Sequence, residues 1–211
     1  AGSGYRLDLA ASADGITVSD DALDRIIDRD TAIVALTHTT FKSGFVYDLD
    51  TVTDMAHRAG TLVLWDLCHS VGVMPLGLNA AGVDLAVGCT YKYLNGGPGS
   101  PAFLYVRRDL QEQFANPIWG WFGHRAQFDF AHGYEPAPGM RRFQTGTPPI
   151  LSLSVVEPGI DLVLEAGLNR IRAKSVRQTE YLVALWQELF QPLGVTFNTV
   201  MRESLTPPLE P

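Results

Sequence analysis

The chain has 211 residues, 46% of them hydrophobic, and a net charge of −7 with only sixteen Lys and Arg. That apolar content is enough for a sizeable core, and the acidic balance excludes a general nucleic-acid binder, which needs a basic face. The longest apolar runs are strand-sized, so no membrane span is expected, and "AGSGYRLDLA" lacks the layout of a signal peptide.

Two cysteines, Cys68 and Cys89, make neither a disulfide framework nor a metal site. A reduced, cytoplasmic setting is expected. The chain does not begin with Met, and its tail "NTVMRESLTPPLEP" is proline-rich without apolar periodicity. Both ends are expected to belong to a truncated fragment, with residues 191–211 irregular.

In chain order, "SDDALDRIIDRD" (19–30) carries acids in its first turn and Leu23, Ile26 and Ile27 on one face, which predicts a helix. "TAIVALT" (31–37) predicts a buried strand. "HTTFKSGFVYD" (38–48) is a polar loop. "LDTVTDMAHRAG" (49–60) sets Val52, Met55, Ala56 and Ala59 at helical spacing and ends on Gly60. Three further strands are expected at 61–67, 84–89 and 101–106, then a helix over "RRDLQEQF". From 148 to 190 the pattern is mostly helical, with Pro148 near a helix start and Pro158 as an interruption.

Strands apolar on both faces and alternating with helices imply an α/β fold of three layers around a mostly parallel sheet. In such sheets ligands sit beyond the carboxyl ends of the strands. Thr37, Asp66, His69, Tyr91 and Lys92 all fall there.

Lys92 is one of only three lysines, set between two tyrosines in "GCTYKYLNGGPGS" (88–100). At the edge of a buried site it loses hydration, which favours the neutral amine that condenses with an aldehyde; the bland alternative is a surface lysine before a turn. Asp66 follows five apolar residues and needs a partner, such as a protonated ring nitrogen; alternatively it caps the turn "LCHSVG". His69 is either a pocket residue or a core histidine. No third ligand joins Asp66 and His69, so no metal is expected. An acid for a pyridine nitrogen and a lysine for an aldehyde, on adjacent strand ends, are what pyridoxal phosphate (PLP) requires. The glycines after Lys92 permit close backbone approach, and the Tyr91 hydroxyl could donate to a phosphate.

"LWDLCHSVGVMPLGLNAAGVDLAVGCTYKYLNGGPGSPAFLYV" resembles the kynureninase family, fold-type-I PLP enzymes related to class V aminotransferases. "LTHTTFKSGFVYD", "GWFGH" and "RRFQTGTPPILSL" extend the resemblance over about residues 20–190. It implies that residues 1–190 are the central part of a PLP-binding large domain. It implies that Lys92 holds PLP and moves protons, Asp66 pairs with the pyridinium, and Thr37 and His69 lie at the cofactor. Tyr91 would donate to the phosphate, and Trp121 and Thr147 would reach the site across a homodimer interface. The implied reaction hydrolyses L-kynurenine or 3-hydroxykynurenine to anthranilate or 3-hydroxyanthranilate and L-alanine, in tryptophan catabolism and NAD biosynthesis. The 211 residues alone are expected to turn over poorly. Cysteine desulfurases share the Asp-x-x-His and the lysine, but no cysteine follows Cys89 here. A non-catalytic remnant is the remaining alternative. Trp119 and Phe122 read as packing residues, His124 as structural, and Cys68 as a small buried residue.

Overall fold

The computed structural model describes residues 4–199; the tail from 200 onward lies outside the described residues. Helix α1 (Asp20–Ile26) starts on Ser19, whose hydroxyl accepts from the Ala22 N–H. It is shorter than the pattern predicts: Leu23 and Ile27 are buried, but Ile26 turns to solvent. Strand β1 (Ile33–Thr37) leads through the 38–48 loop into α2 (Leu49–Ala59). The Asp48 carboxylate caps α2 at the Thr51 N–H, and Gly60 stops it at φ 81°, a left-handed conformation that glycine adopts freely. Strands β2 (Leu62–Asp66), β3 (Leu85–Cys89) and β4 (Ala102–Val106) complete a sheet of order β1-β2-β3-β4. The first three are parallel and β4 runs antiparallel to β3.

The two faces of this sheet differ. Val63, Trp65 and Ala86 point to α1 and α2 and form the core with Leu23, Val52 and Ala56. Burying several such side chains at about 1.5–3 kcal/mol each is what holds this layer together. The other face carries Thr37, Asp66, Val87 and Cys89 in register, and its rim residues Ile33 and Leu104 are exposed. The strands are apolar on both faces, as expected, but even β2 and β3 are buried on one face and mostly half-buried on the other, and β1 and β4 are edges among the described residues.

Three other expectations change. No regular helix links β2 to β3; the segment between them is a series of turns. "RRDLQEQF" forms only a 3₁₀ turn at Arg108–Leu110. Pro158 does not interrupt anything: it is the third residue of α4 (Val156–Ala166), where the missing N–H has no intrahelical acceptor to serve. Short α3 (Ile150–Leu153) precedes it and α5 (Leu168–Leu185) follows.

Candidate active site

Thr37 and Asp66 end β1 and β2 and are register partners. Because side chains alternate along a strand, the same register puts them on one face. Beyond Asp66 the chain turns at once: the Leu67 N–H still donates to Val87 O at 2.8 Å, then the Ser70 N–H closes a turn on Leu67 O at 3.0 Å. This turn carries Cys68 and His69. The Asp66 Oδ1 accepts the Cys68 N–H at 2.8 Å, so the capping role is realised on a turn rather than a helix. No cation pairs with the Asp66 carboxylate among the described residues.

Lys92 comes to this turn from β3. Its Nζ lies 2.8 Å from His69 Nε2 and 5.5 Å from the centre of the Tyr91 ring. Two glycines let the lysine loop sit this close. A Cβ at Gly72 would fall 2.5 Å from Tyr93 O, and one at Gly159 on α4 would fall 2.4 Å from Leu94 O. Both are shorter than real Cβ contacts, so the loop after His69 and the first turn of α4 grip residues 93–95 through bare backbone.

The charge state of Lys92 departs from the expectation. Burial does press its ammonium toward neutrality, but the negative forms of Tyr91, Cys89 and Cys68 outweigh that, and its pKa is raised above the ordinary lysine value. The ammonium has no lone pair, so it donates to His69 Nε2, which assigns the ring hydrogen to Nδ1. Burial, followed by the neighbouring Asp66 carboxylate and Cys89, pushes the Cys68 thiol up to about 12. At neutral pH it is almost wholly the thiol, and so reacts slowly.

Trp121 and Thr147 are not brought to this cluster within the chain. Trp121 is 46% exposed on a 3₁₀ turn and meets Phe122 and Phe128 edge-on, while Thr147 is exposed in a segment without regular structure. Trp119 stacks on Tyr134. His124 is structural: its Nδ1 accepts the Ala126 N–H at 3.0 Å and its Nε2 meets Gly133 O at 3.2 Å.

Two polar groups escape the sequence reading. His38, next to Thr37, alternates to the opposite face, where it is 4% exposed and edge-on to Trp65. Burial lowers its pKa to about 4, and its Nδ1 has no hydrogen-bond partner. Asp84, just before β3, is fully buried. It accepts the Val63 N–H at 2.8 Å and meets His57 Nε2 at 2.9 Å and Arg107 Nη1 at 2.7 Å. The Arg107 approach lacks hydrogen-bond alignment at Oδ1, so it is a charge contact. Asp84 sits among apolar residues in "AGVDLAVG" just as Asp66 does in "LVLWDL", so the signal was present.

The donor set fits PLP: a carboxylate with no cation partner among the described residues, and a lysine amine in contact with an imidazole, lie at and just beyond the carboxyl ends of two neighbouring strands. The chain is 48% identical over 159 residues to a kynureninase of Burkholderia mallei, covering 75% of this chain and 38% of that protein. It is 44% identical over 170 residues to the kynureninase of Pseudomonas fluorescens, covering 81% and 41%. The chain thus spans about two fifths of the length of these curated relatives. Its fold superposes on the apo cysteine desulfurase of Thermococcus onnurineus with a TM-score of 0.77 at 23% identity, covering 94% of this chain and 48% of that one. It superposes on an alanine–glyoxylate aminotransferase of Nostoc with a TM-score of 0.61 at 24% identity, covering 82% and 45%. At such identities the structures speak for the fold alone. The class-V aminotransferase profile matches residues 2–198, nearly the whole chain, and the protein belongs to that family.

Proposed function

We propose that the protein to which this chain belongs is a PLP-dependent hydrolase that cleaves the Cβ–Cγ bond of L-kynurenine or 3-hydroxykynurenine. The products are anthranilate or 3-hydroxyanthranilate and L-alanine, as in tryptophan catabolism and NAD biosynthesis. The observation that carries this reading is the meeting of Lys92 with His69 beside Asp66, in a chain 44–48% identical to kynureninases.

When bound, PLP supplies an electron sink for charge developing at the substrate α-carbon. The chain's own residues hold and aim the rest. The Asp66 carboxylate, its Oδ1 anchored by the Cys68 N–H, accepts the pyridinium N–H. Lys92 would hold the cofactor at its aldehyde carbon, and its amine would carry a proton to or from the substrate α-carbon. His69 orients that amine through its 2.8 Å contact. Tyr91 O–H donates to the phosphate and Thr37 lies at the ring. Because Lys92 rests as an ammonium, it must lose a proton before it takes up the aldehyde, and capture of PLP should quicken as pH rises.

Trp121 and Thr147 are assigned to the partner subunit's site in a homodimer. The support is the run of exposed apolar side chains around them, including Ile118, Phe128, Phe130, Ile150 and Leu151. Residues 1–190 are read as the central part of the PLP-binding large domain, and this piece alone is expected to turn over poorly. No helix among the described residues is long and apolar enough to cross a membrane, and two free cysteines suit a reducing cytoplasm.

The test is turnover of kynurenine, 3-hydroxykynurenine and cysteine by the purified whole protein, followed by anthranilate fluorescence and by sulfide release. Anthranilate formation that Lys92→Ala abolishes is expected. Sulfide from cysteine with no anthranilate would replace this reading with a desulfurase, and inactivity on all three would leave a non-catalytic protein.

A further inference from the structure

We propose that Cys68 and Cys89 are a dithiol that closes to a disulfide under oxidation and thereby disorders the turn that carries His69 and anchors Asp66. The β2–β3 register pairs Asp66 with Val87. The Leu67 N–H still donates to Val87 O, and the turn that follows holds Cys68 against Cys89. The two residues are in contact: Cys89 Sγ donates to Cys68 O at 3.8 Å, and the thiols interact with one another. Both are free, and the chain has no third cysteine to compete.

Cys89 is buried and Cys68 half-buried, so oxidant enters at Cys68. The oxidant is a hydroperoxide. The Cys68 sulfur attacks a peroxide oxygen, the O–O bond breaks, and water leaves with the thiol proton, giving a sulfenic acid. The Cys89 sulfur then attacks the Cys68 sulfur. An S–S bond forms, the S–O bond breaks, and hydroxide leaves with the Cys89 proton as a second water. Two thiols lose two electrons and two protons, which the peroxide takes up. The strongly raised Cys68 thiol makes the first step slow at neutral pH.

Closure draws the Cys68 backbone toward β3. That backbone supplies the N–H on Asp66, and the next residue supplies the imidazole on Lys92. Its effect on the cofactor rests on the reading above; the bond itself does not.

The experiment treats the PLP-loaded whole protein with hydrogen peroxide, with and without later dithiothreitol. After release of the cofactor, trypsin cuts at Arg58 and Lys92, and both cysteines fall on one peptide free of internal Lys and Arg. The peptide is expected to resist alkylation and to be lighter by two hydrogens. The protein should lose PLP absorbance on gel filtration, turnover should fall by roughly a hundredfold, and dithiothreitol should restore all three. Cys68→Ser and Cys89→Ser should each keep their PLP through the treatment. The proposal is overturned by a fully alkylatable peptide, by sulfinic acid on Cys68 beside a free Cys89, or by a closed bond with undiminished PLP retention. Anthranilate release by the untreated enzyme is scored separately, so failure of the functional reading is told apart from failure of the switch.

Discussion

Each end of the central sheet holds a carboxylate and a histidine, and they are built to opposite purposes. At the amino end of β3, Asp84 is fully buried and spends its oxygens on His57, Arg107 and the Val63 N–H. At the carboxyl end of β2, Asp66 is half-buried, accepts the Cys68 N–H, interacts with the Cys68 thiol, and meets no cation among the described residues. His57 there pairs with an acid, whereas His69 here pairs with an amine. A buried charge with its partners already in place can only brace the fold. A half-buried charge at a strand's carboxyl end, with no cation partner among the described residues, has capacity left for a ligand. Free valence, rather than residue type, separates the two.

Substitutions can break that contrast in turn. Lys92→Ala should cost roughly a thousandfold or more in turnover and remove the absorbance of bound PLP, with urea unfolding of the apoprotein little changed. Asp66→Asn keeps the shape but cannot answer a pyridinium; turnover should fall roughly a hundredfold, again without a large loss of stability. Asp84→Ala should do the reverse. It strands the Val63 N–H, the His57 ring and the Arg107 guanidinium, and urea unfolding should show a loss of about 3–5 kcal/mol. Should Asp84→Ala leave stability intact, or Asp66→Asn unfold the protein, the division of labour between the two edges would be wrong.

The smallest expected effect concerns His38, behind the site. Its folded pKa, about 4, lies below the ordinary value of 6.5. The neutral ring is therefore favoured in the fold, its stabilisation is complete above pH 6.5, and it is lost as pH falls toward 4. The loss should reach about 2–3 kcal/mol across that window, read by urea unfolding at stepped pH. His38→Phe should flatten this part of the profile while the Asp84 effect persists.

Much of the layout was legible in the residues. The helix over 49–60 declares itself by its spacing and its glycine stop, because a 3.6-residue period and a left-handed cap are local properties. The four strands were also local, and so were the positions of Thr37, Asp66, His69 and Lys92 at or just past strand ends. The shortness of α1 and the loss of the helix after Arg107 were not, since propensity yields to whichever neighbours are available to pack. Pro158 was misjudged because a proline's cost depends on its position within the helix, not on its presence.

The sequence by itself determined which groups could do chemistry and roughly where along the chain they fall: chemistry resides in side-chain types, and helix or strand periodicity resides in neighbours along the chain. Only the tertiary structure decided which of those groups meet. Pairing His69 with Lys92, setting Cys68 across from Cys89, turning His38 away from its neighbour Thr37 and saturating Asp84 while sparing Asp66 all follow from strand register and from which face each residue presents. Register is a long-range choice, fixed by burying Trp65, Val63 and Ala86 against α2, and no short stretch of sequence contains it.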